Sequence, residues 1–356
     1  MPVGCSPAGG RASPVATPGE STAARGGGAA HRGDASWDAY REHDYVADLP
    51  VALPVHIDSP RSLYRDFDTP AQLDTEYDVD GVTPDTGSCV ERLLAASARA
   101  RRTLPHELDV PYGPTRAEVL DVFPAEPRDG ERPPLLVYFH GGYWRQLSGH
   151  DFDFVALGLV PHGITTLVPT YALCPHATMD EIVRQARAAV AWAYRNAEAL
   201  GADPDRVLVG GHSAGAHLAA MCALTDWEGE YGLPADLVKG CIAMSGLYDL
   251  RPLPFTSIGS SLLLDELQVL RNSPLLLPPP ATAPPTLVAF GDGETFEFQR
   301  QSNDLADHWL EHGVPVDVHV QHGRHHFEAA LELTDPSSAI VEAIAVHAGV
   351  PALVAV

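Results

Sequence analysis

Positive charge is scarce in this sequence. Its 356 residues carry 23 Lys and Arg against 47 Asp and Glu, a formal net charge of −24. A nucleic-acid-binding chain needs a basic face to meet phosphates, and an anionic membrane surface attracts basic segments, so neither partner is expected. Long apolar runs are missing as well. None approaches the roughly eighteen residues of a membrane-spanning helix, and MPVGCSPAGGRASPVATPGE at the N-terminus has no apolar core of the secretory kind. The expected location is the cytoplasm. Cysteine is sparse: Cys5, Cys89, Cys174, Cys222 and Cys241 are odd in number, widely spaced and free of any CxxC. A disulfide framework is not expected in so long a chain, and Cys222 and Cys241 read as buried free thiols. Metal patterns are lacking too. His319, His322, His325 and His326 cluster in sequence and His308 and His312 are four apart, but no HExxH or Cys/His motif accompanies them. The expectation is no metal, no cofactor and a small-molecule substrate, with a homodimer left open.

What is present is the makings of a globular chain, 45% hydrophobic. Residues 1–36 are rich in Gly, Ala, Pro and Ser without periodicity and read as a disordered tail. From Trp37 to about residue 115, Tyr40, Tyr45, Tyr64 and Phe67 stand among many acids. This stretch reads as an irregular, partly helical segment with a helix at 88–102, packing on the core or capping a site. Residues 116–356 then alternate strand and helix. Strands are predicted at 117–123, 134–139, 164–169, 206–210, 238–244, 285–290 and 314–320. Most are continuous apolar runs, as in strands buried on both faces of a parallel sheet. Thr178 to Glu181 reads as a capping box opening a helix that ends by Gly201, and further helices fit 214–225, 298–311 and 337–347. The proline-rich 273–285 reads as a loop. The pattern predicts a three-layer α/β/α sandwich with a mostly parallel central sheet, whose sites lie at the carboxyl ends of the strands.

One such strand end reads RVLVGGHSAGAHLAA (206–220), placing G-x-S-x-G at a strand–turn–helix junction. There the glycines make room for a sharp turn and the serine, Ser213, is held exposed above the sheet. Ser245 also follows a strand but lacks the preceding glycine and reads as a structural turn residue. In this arrangement an acid and then a histidine follow the serine along the chain. The loop after 285–290 offers Asp292, Glu294 and Glu297, and the loop after 314–320 offers His322, His325 and His326. The acid must accept from imidazole Nδ1–H, and histidine suits a base working near neutral pH. Composition does not choose within either trio. Asp292 follows its strand at once, Glu294 reaches farther, Glu297 suits the start of the next helix, and His322 reads as a solvated loop residue.

An earlier strand ends in FHGGYWR (139–145). Its HGG is similar to the HGGG-type loops of esterases, whose glycine amides point into the site. The fuller motif His140-Gly141-Gly142-Tyr143-Trp144, with YALCPHATMDEIVRQ (171–185), GGHSAGAHL (210–218), SGLYDLRPL (245–253), ETFEFQRQS (294–302) and HHFEAALEL (325–333), resembles the kynurenine formamidase (arylformamidase) branch of the α/β-hydrolases, near the hormone-sensitive-lipase-like esterases. The resemblance covers roughly residues 70–348. It implies Ser213 as nucleophile, His326 as base and Glu294 as acid. Many members have Asp at the last position, so Asp292 stays open. It further implies an oxyanion site from the amides of Gly141, Gly142 and Ala214, with Tyr143 and Trp144 against the substrate, crowding the acyl side or merely packing. The implied reaction hydrolyses an N-formyl aryl amine such as N-formylkynurenine to the amine and formate. A carboxylesterase of small or aryl esters, or a biosynthetic tailoring hydrolase of the same fold, remains open.

Overall fold

Alternating side chains of each central strand divide between two cores, one on either face of an eight-stranded sheet. The computed structural model describes residues 62–83 and 85–351. The expected tail at 1–36 and the following residues up to 61 lie outside the described residues. The strands are β1 (Glu107–Pro111), β2 (Val119–Phe123), β3 (Leu135–Phe139), β4 (Thr165–Pro169), β5 (Val207–His212), β6 (Val238–Met244), β7 (Thr286–Gly291) and β8 (Val316–Gln321). Their order is β1-β2-β4-β3-β5-β6-β7-β8. β2 pairs antiparallel with β1 and β4, and every other pair is parallel. β3, β4, β5 and β7 are buried at every position, which is why they read as unbroken apolar runs. Leu135, Val137 and Phe139 of β3 enter one core, and Leu136 and Tyr138 the other. The first core is closed by the helices Met179–Asn196, Ala214–Ala223 and Phe296–Glu311, the second by Ala339–His347 and the segment around Phe154 and Leu159. The result is the expected three-layer sandwich.

β1 was not expected. Its burial alternates between exposed and half-buried, and its ladder slips between Glu107 and Val110. A short, bulged edge strand ending in proline carries little apolar signal. Two local expectations need correction. Thr178 accepts from the Glu181 amide at 3.3 Å, but the Glu181 carboxylate turns to Arg184 and Gln185, so only half of the box forms. That helix ends at Asn196, and Gly201 takes a left-handed turn (φ 73°) outside it. Cys89, Cys174, Cys222 and Cys241 are buried and unbridged; Cys5 lies outside the described residues.

Three helices precede the sheet: α1 (Pro70–Tyr77), α2 (Val79–Val82) and α3 (Thr86–Thr103), the last matching the helix read at 88–102. They are fastened to the sandwich by polar contacts. The Tyr77 hydroxyl donates to Glu297 Oε2 at 2.6 Å, and just ahead of α1 the Tyr64 hydroxyl donates to Asp249 Oδ2 at 2.6 Å. Glu297 is itself in a buried ion pair with Arg300 (2.6 Å). It does begin the Phe296–Glu311 helix, yet it serves as an internal anchor more than as a dipole complement.

Candidate active site

β5 ends at His212 and the next helix begins at Ala214, leaving Ser213 alone at the bend with φ 58° and ψ −123°. Backbone in this region is strained and persists only where the surroundings enforce it. They do so here by close packing. A Cβ at Gly211 would lie 2.3 Å from the Gly215 carbonyl, and one at Gly215 would lie 2.0 Å from the Phe139 oxygen. The Ser213 amide donates to Met244 O (2.9 Å), tying the bend to β6.

Glu294 follows β7, and His326 opens the short helix after β8. The His326 Nδ1–H donates to Glu294 Oε2 at 2.7 Å, with both side chains buried. The other oxygen, Oε1, accepts from the Ser245 hydroxyl (2.6 Å) and the Gly291 amide (2.8 Å). Ser245 does sit at a turn (φ 49°), but it is fully buried and holds Glu294, a role the sequence reading missed. The His326 ring lies between Phe298 and His212, at 4.6 and 4.4 Å. Burial first, and then proximity to His326, push the His212 imidazole well below its usual value. It is therefore neutral, and its Nε2–H donates to the His326 carbonyl at 3.0 Å.

The remaining candidates turn elsewhere. Asp292 takes His322 Nδ1 (2.8 Å) and the Gly323 amide (2.6 Å) at the surface. His322 is exposed, as read from sequence. His325 caps the helix that His326 begins, accepting from the Glu328 amide at 3.4 Å. Of the three acids, Glu294 is the one hydrogen-bonded to His326.

Ser213 and His326 share a cleft that holds about 620 Å³ of space, part of it open to solvent. One wall is the 141–152 loop, through Gly141, Gly142, Tyr143, Leu147 and Phe152; the opposite wall is Val79, Val90, Leu93 and Leu94 of α2 and α3. The lining is mostly apolar. Among the described residues its formally charged members are Asp80 and Asp151, and it contains no Lys or Arg.

The HGG turn comes directly against Ser213. A Cβ on Gly141 would lie 3.3 Å from that of Ser213, and Gly142 has φ 107° with Gln146 O only 2.3 Å from where a Cβ would be. Among the described residues, the amides of Gly141 and Gly142 donate no hydrogen bond. Ala214 is the first residue of its helix, so its amide has no partner within the helix. Three bare donors beside a serine can hold a developing oxyanion.

The two aromatics of the motif separate. Tyr143 lines the cleft while its hydroxyl donates to the Tyr77 carbonyl at 2.5 Å. Trp144 is fully buried, packs edge-on against His217 at 4.9 Å and does not line the cleft, so it braces the loop instead of meeting its contents. His140 is also a brace. Its ring stacks on Tyr171 at 3.9 Å, and burial pushes it down to about 4.

A protein-family model described as alpha/beta hydrolase fold matches residues 136–329. The chain is 33% identical over 250 residues to the kynurenine formamidase of Danio rerio, spanning 69% of this chain and 83% of that protein. It is 30% identical over 158 residues to esterase LipC of Mycobacterium tuberculosis, spanning 44% and 39% of the two. An esterase structure from Pyrobaculum calidifontis superposes with a TM-score of 0.57 at 22% identity, covering 79% of this chain and 97% of that one, which shows the shared fold. Fold, strained serine bend and matched sequence agree: this chain is a hydrolase belonging to the alpha/beta-hydrolase family.

Proposed function

We propose that the chain is a serine carboxylesterase for small uncharged esters, with Ser213, His326 and Glu294 as its relay. Ser213 Oγ attacks the carbonyl carbon while His326 Nε2 takes its proton. Glu294 keeps the imidazole in the Nδ1–H tautomer and stabilises the imidazolium. The amides of Gly141, Gly142 and Ala214 hold the oxyanion, each donor worth about 3 kcal/mol. His326 then gives its proton to the departing alcohol, and water repeats the sequence on the acyl-enzyme. No cofactor enters. The observation that carries this reading is the apolar cleft over Ser213, which offers an ester's hydrocarbon a dry wall and offers an anion no cationic partner. Tyr143 bounds the acyl side, and Trp144 holds its loop from behind.

A second reading, hydrolysis of an N-formyl aryl amide to amine and formate, is supported by the kynurenine formamidase relative, which matches over 83% of its own length. The relay is the same and only the leaving group differs. N-formylkynurenine is a zwitterionic amino acid: its ammonium would find Asp80 and Asp151 in the lining, whereas its carboxylate would find no Lys or Arg there. The deciding experiment compares kcat/KM for phenyl acetate, N-formylaniline and N-formylkynurenine, with Ser213→Ala as control. The ester reading expects phenyl acetate to lead, and the control to lose at least a thousandfold on it. N-formylkynurenine leading by tenfold would replace the ester reading with the second, and an active Ser213→Ala would remove both.

A further inference from the structure

At the antiparallel edge of the sheet lies a polar cluster that shares no residue with the relay. Asp121 sits in β2 with its side chain 2% exposed. Its Oδ1 accepts from the Asp109 amide at 2.9 Å. Its Oδ2, equally buried, accepts no hydrogen bond of good geometry unless a proton is shared with the neighbouring Asp153 carboxyl. A lone buried carboxylate oxygen is costly to leave unsatisfied. Around it stand His150 Nε2, 3.3 Å from Asp121 Oδ2 and 3.1 Å from Asp109 Oδ1. The three atoms all lie within 4.8 Å of one another.

We propose that Asp109, Asp121 and His150 form a zinc site. A tetrahedral zinc with bonds of about 2.0 Å to His nitrogen and carboxylate oxygen places its ligand atoms about 3.3 Å apart. The two measured separations from His150 fall at that spacing without movement of the backbone. Two carboxylates and a neutral imidazole also balance the 2+ charge, and mixed nitrogen and oxygen donors favour zinc over magnesium or calcium. Asp109 and His150 are 63% and 39% exposed, so an ion has a way in and water can complete its coordination. The competing way to settle the buried oxygen is a proton shared with Asp153. That carboxyl is fully buried, and burial followed by the charge of Asp121 pushes it up to about 8. Bound zinc would join β1 and β2 to the 149–152 segment, two of whose residues, Asp151 and Phe152, line the cleft.

The test uses the tag-free full-length protein, stripped with chelator and kept reduced, titrated with zinc chloride in a calorimeter and weighed by native mass spectrometry. The expected result is uptake of one zinc per chain, weakened at least tenfold by Asp109→Asn and by His150→Gln and unchanged by His322→Gln. Both informative substitutions are at exposed positions, and circular dichroism verifies that the variants fold. Absence of a single zinc per chain, or uptake indifferent to Asp109→Asn and His150→Gln, overturns the proposal and leaves the shared proton as the account of Asp121.

Discussion

Ser245 offers the sharpest probe of the proposed relay, because it touches Glu294 and not the cleft. Its hydroxyl gives Glu294 Oε1 a 2.6 Å hydrogen bond, leaving the Gly291 amide as the other donor to that oxygen. A hydrogen bond to a charged group is worth about 1.5–3 kcal/mol. Ser245→Ala removes it and adds no bulk. Glu294 then holds His326 less firmly, and most of the deficit appears as the imidazolium forms in the transition state. At about 1.4 kcal/mol per factor of ten, kcat falls by roughly tenfold to a hundredfold. KM changes little, since Ser245 does not line the cleft. Steady-state kinetics on an aryl acetate, with thermal midpoints to verify folding, read both quantities. Asp292→Asn, whose carboxylate faces His322, serves as the control expected near wild-type rate. If kcat of Ser245→Ala stays within twofold of wild type, the backbone alone positions Glu294 and the reasoning fails.

Gly215→Ala should destabilise the chain by about 3 kcal/mol or more, because its methyl would lie 2.0 Å from the Phe139 oxygen and backbone must move; urea denaturation of soluble variant protein checks this, and a midpoint equal to wild type refutes it. The buried rings of His140 and His217 are each pushed down to about 4 by burial. Below about pH 6.5 the unfolded chain binds the protons that these native rings refuse, so each withdraws about 1.4 kcal/mol per pH unit as pH falls toward 4. Nitrogen NMR should find both rings neutral at pH 5.5, and His217→Gln should lack its share of the slope in urea unfolding measured from pH 6.5 to 4.5; a protonated ring at pH 5.5 would contradict the assignment.

The central strands were legible because burial on both faces demands unbroken apolar residues, whereas β1 was not, because half of its side chains face water. The bend at Ser213 was legible for a steric reason: glycines are needed on both sides of so tight a turn, and they appear in sequence. The choice of Glu294 over Asp292 was not available from composition. It depends on which way a four-residue loop turns, and the loop sends Asp292 outward to His322 and Glu294 inward to Ser245. Ser245 itself was hidden because its contact with Glu294 needs no local motif, only the loop after the neighbouring strand, 49 residues on. Trp144 looked like a substrate contact through its place beside Tyr143, yet the two successive left-handed residues (φ 50° and 54°) send their side chains to opposite ends of the loop's surroundings, one to the cleft and one to the core.

The Tyr143 hydroxyl rests on the carbonyl of Tyr77, and the helices after it close the cleft from above Ser213. These helices precede the stretch, 136–329, that carries the family match. The cleft is thus lined by separate lengths of chain: residues 79–94 on one wall, and the 141–152 loop with Ser213 and His326 on the other. A substitution on α2 or α3 can therefore reshape one wall of the cleft without touching the Ser213 bend, the Glu294–His326 hydrogen bond or the bare amides of Gly141, Gly142 and Ala214.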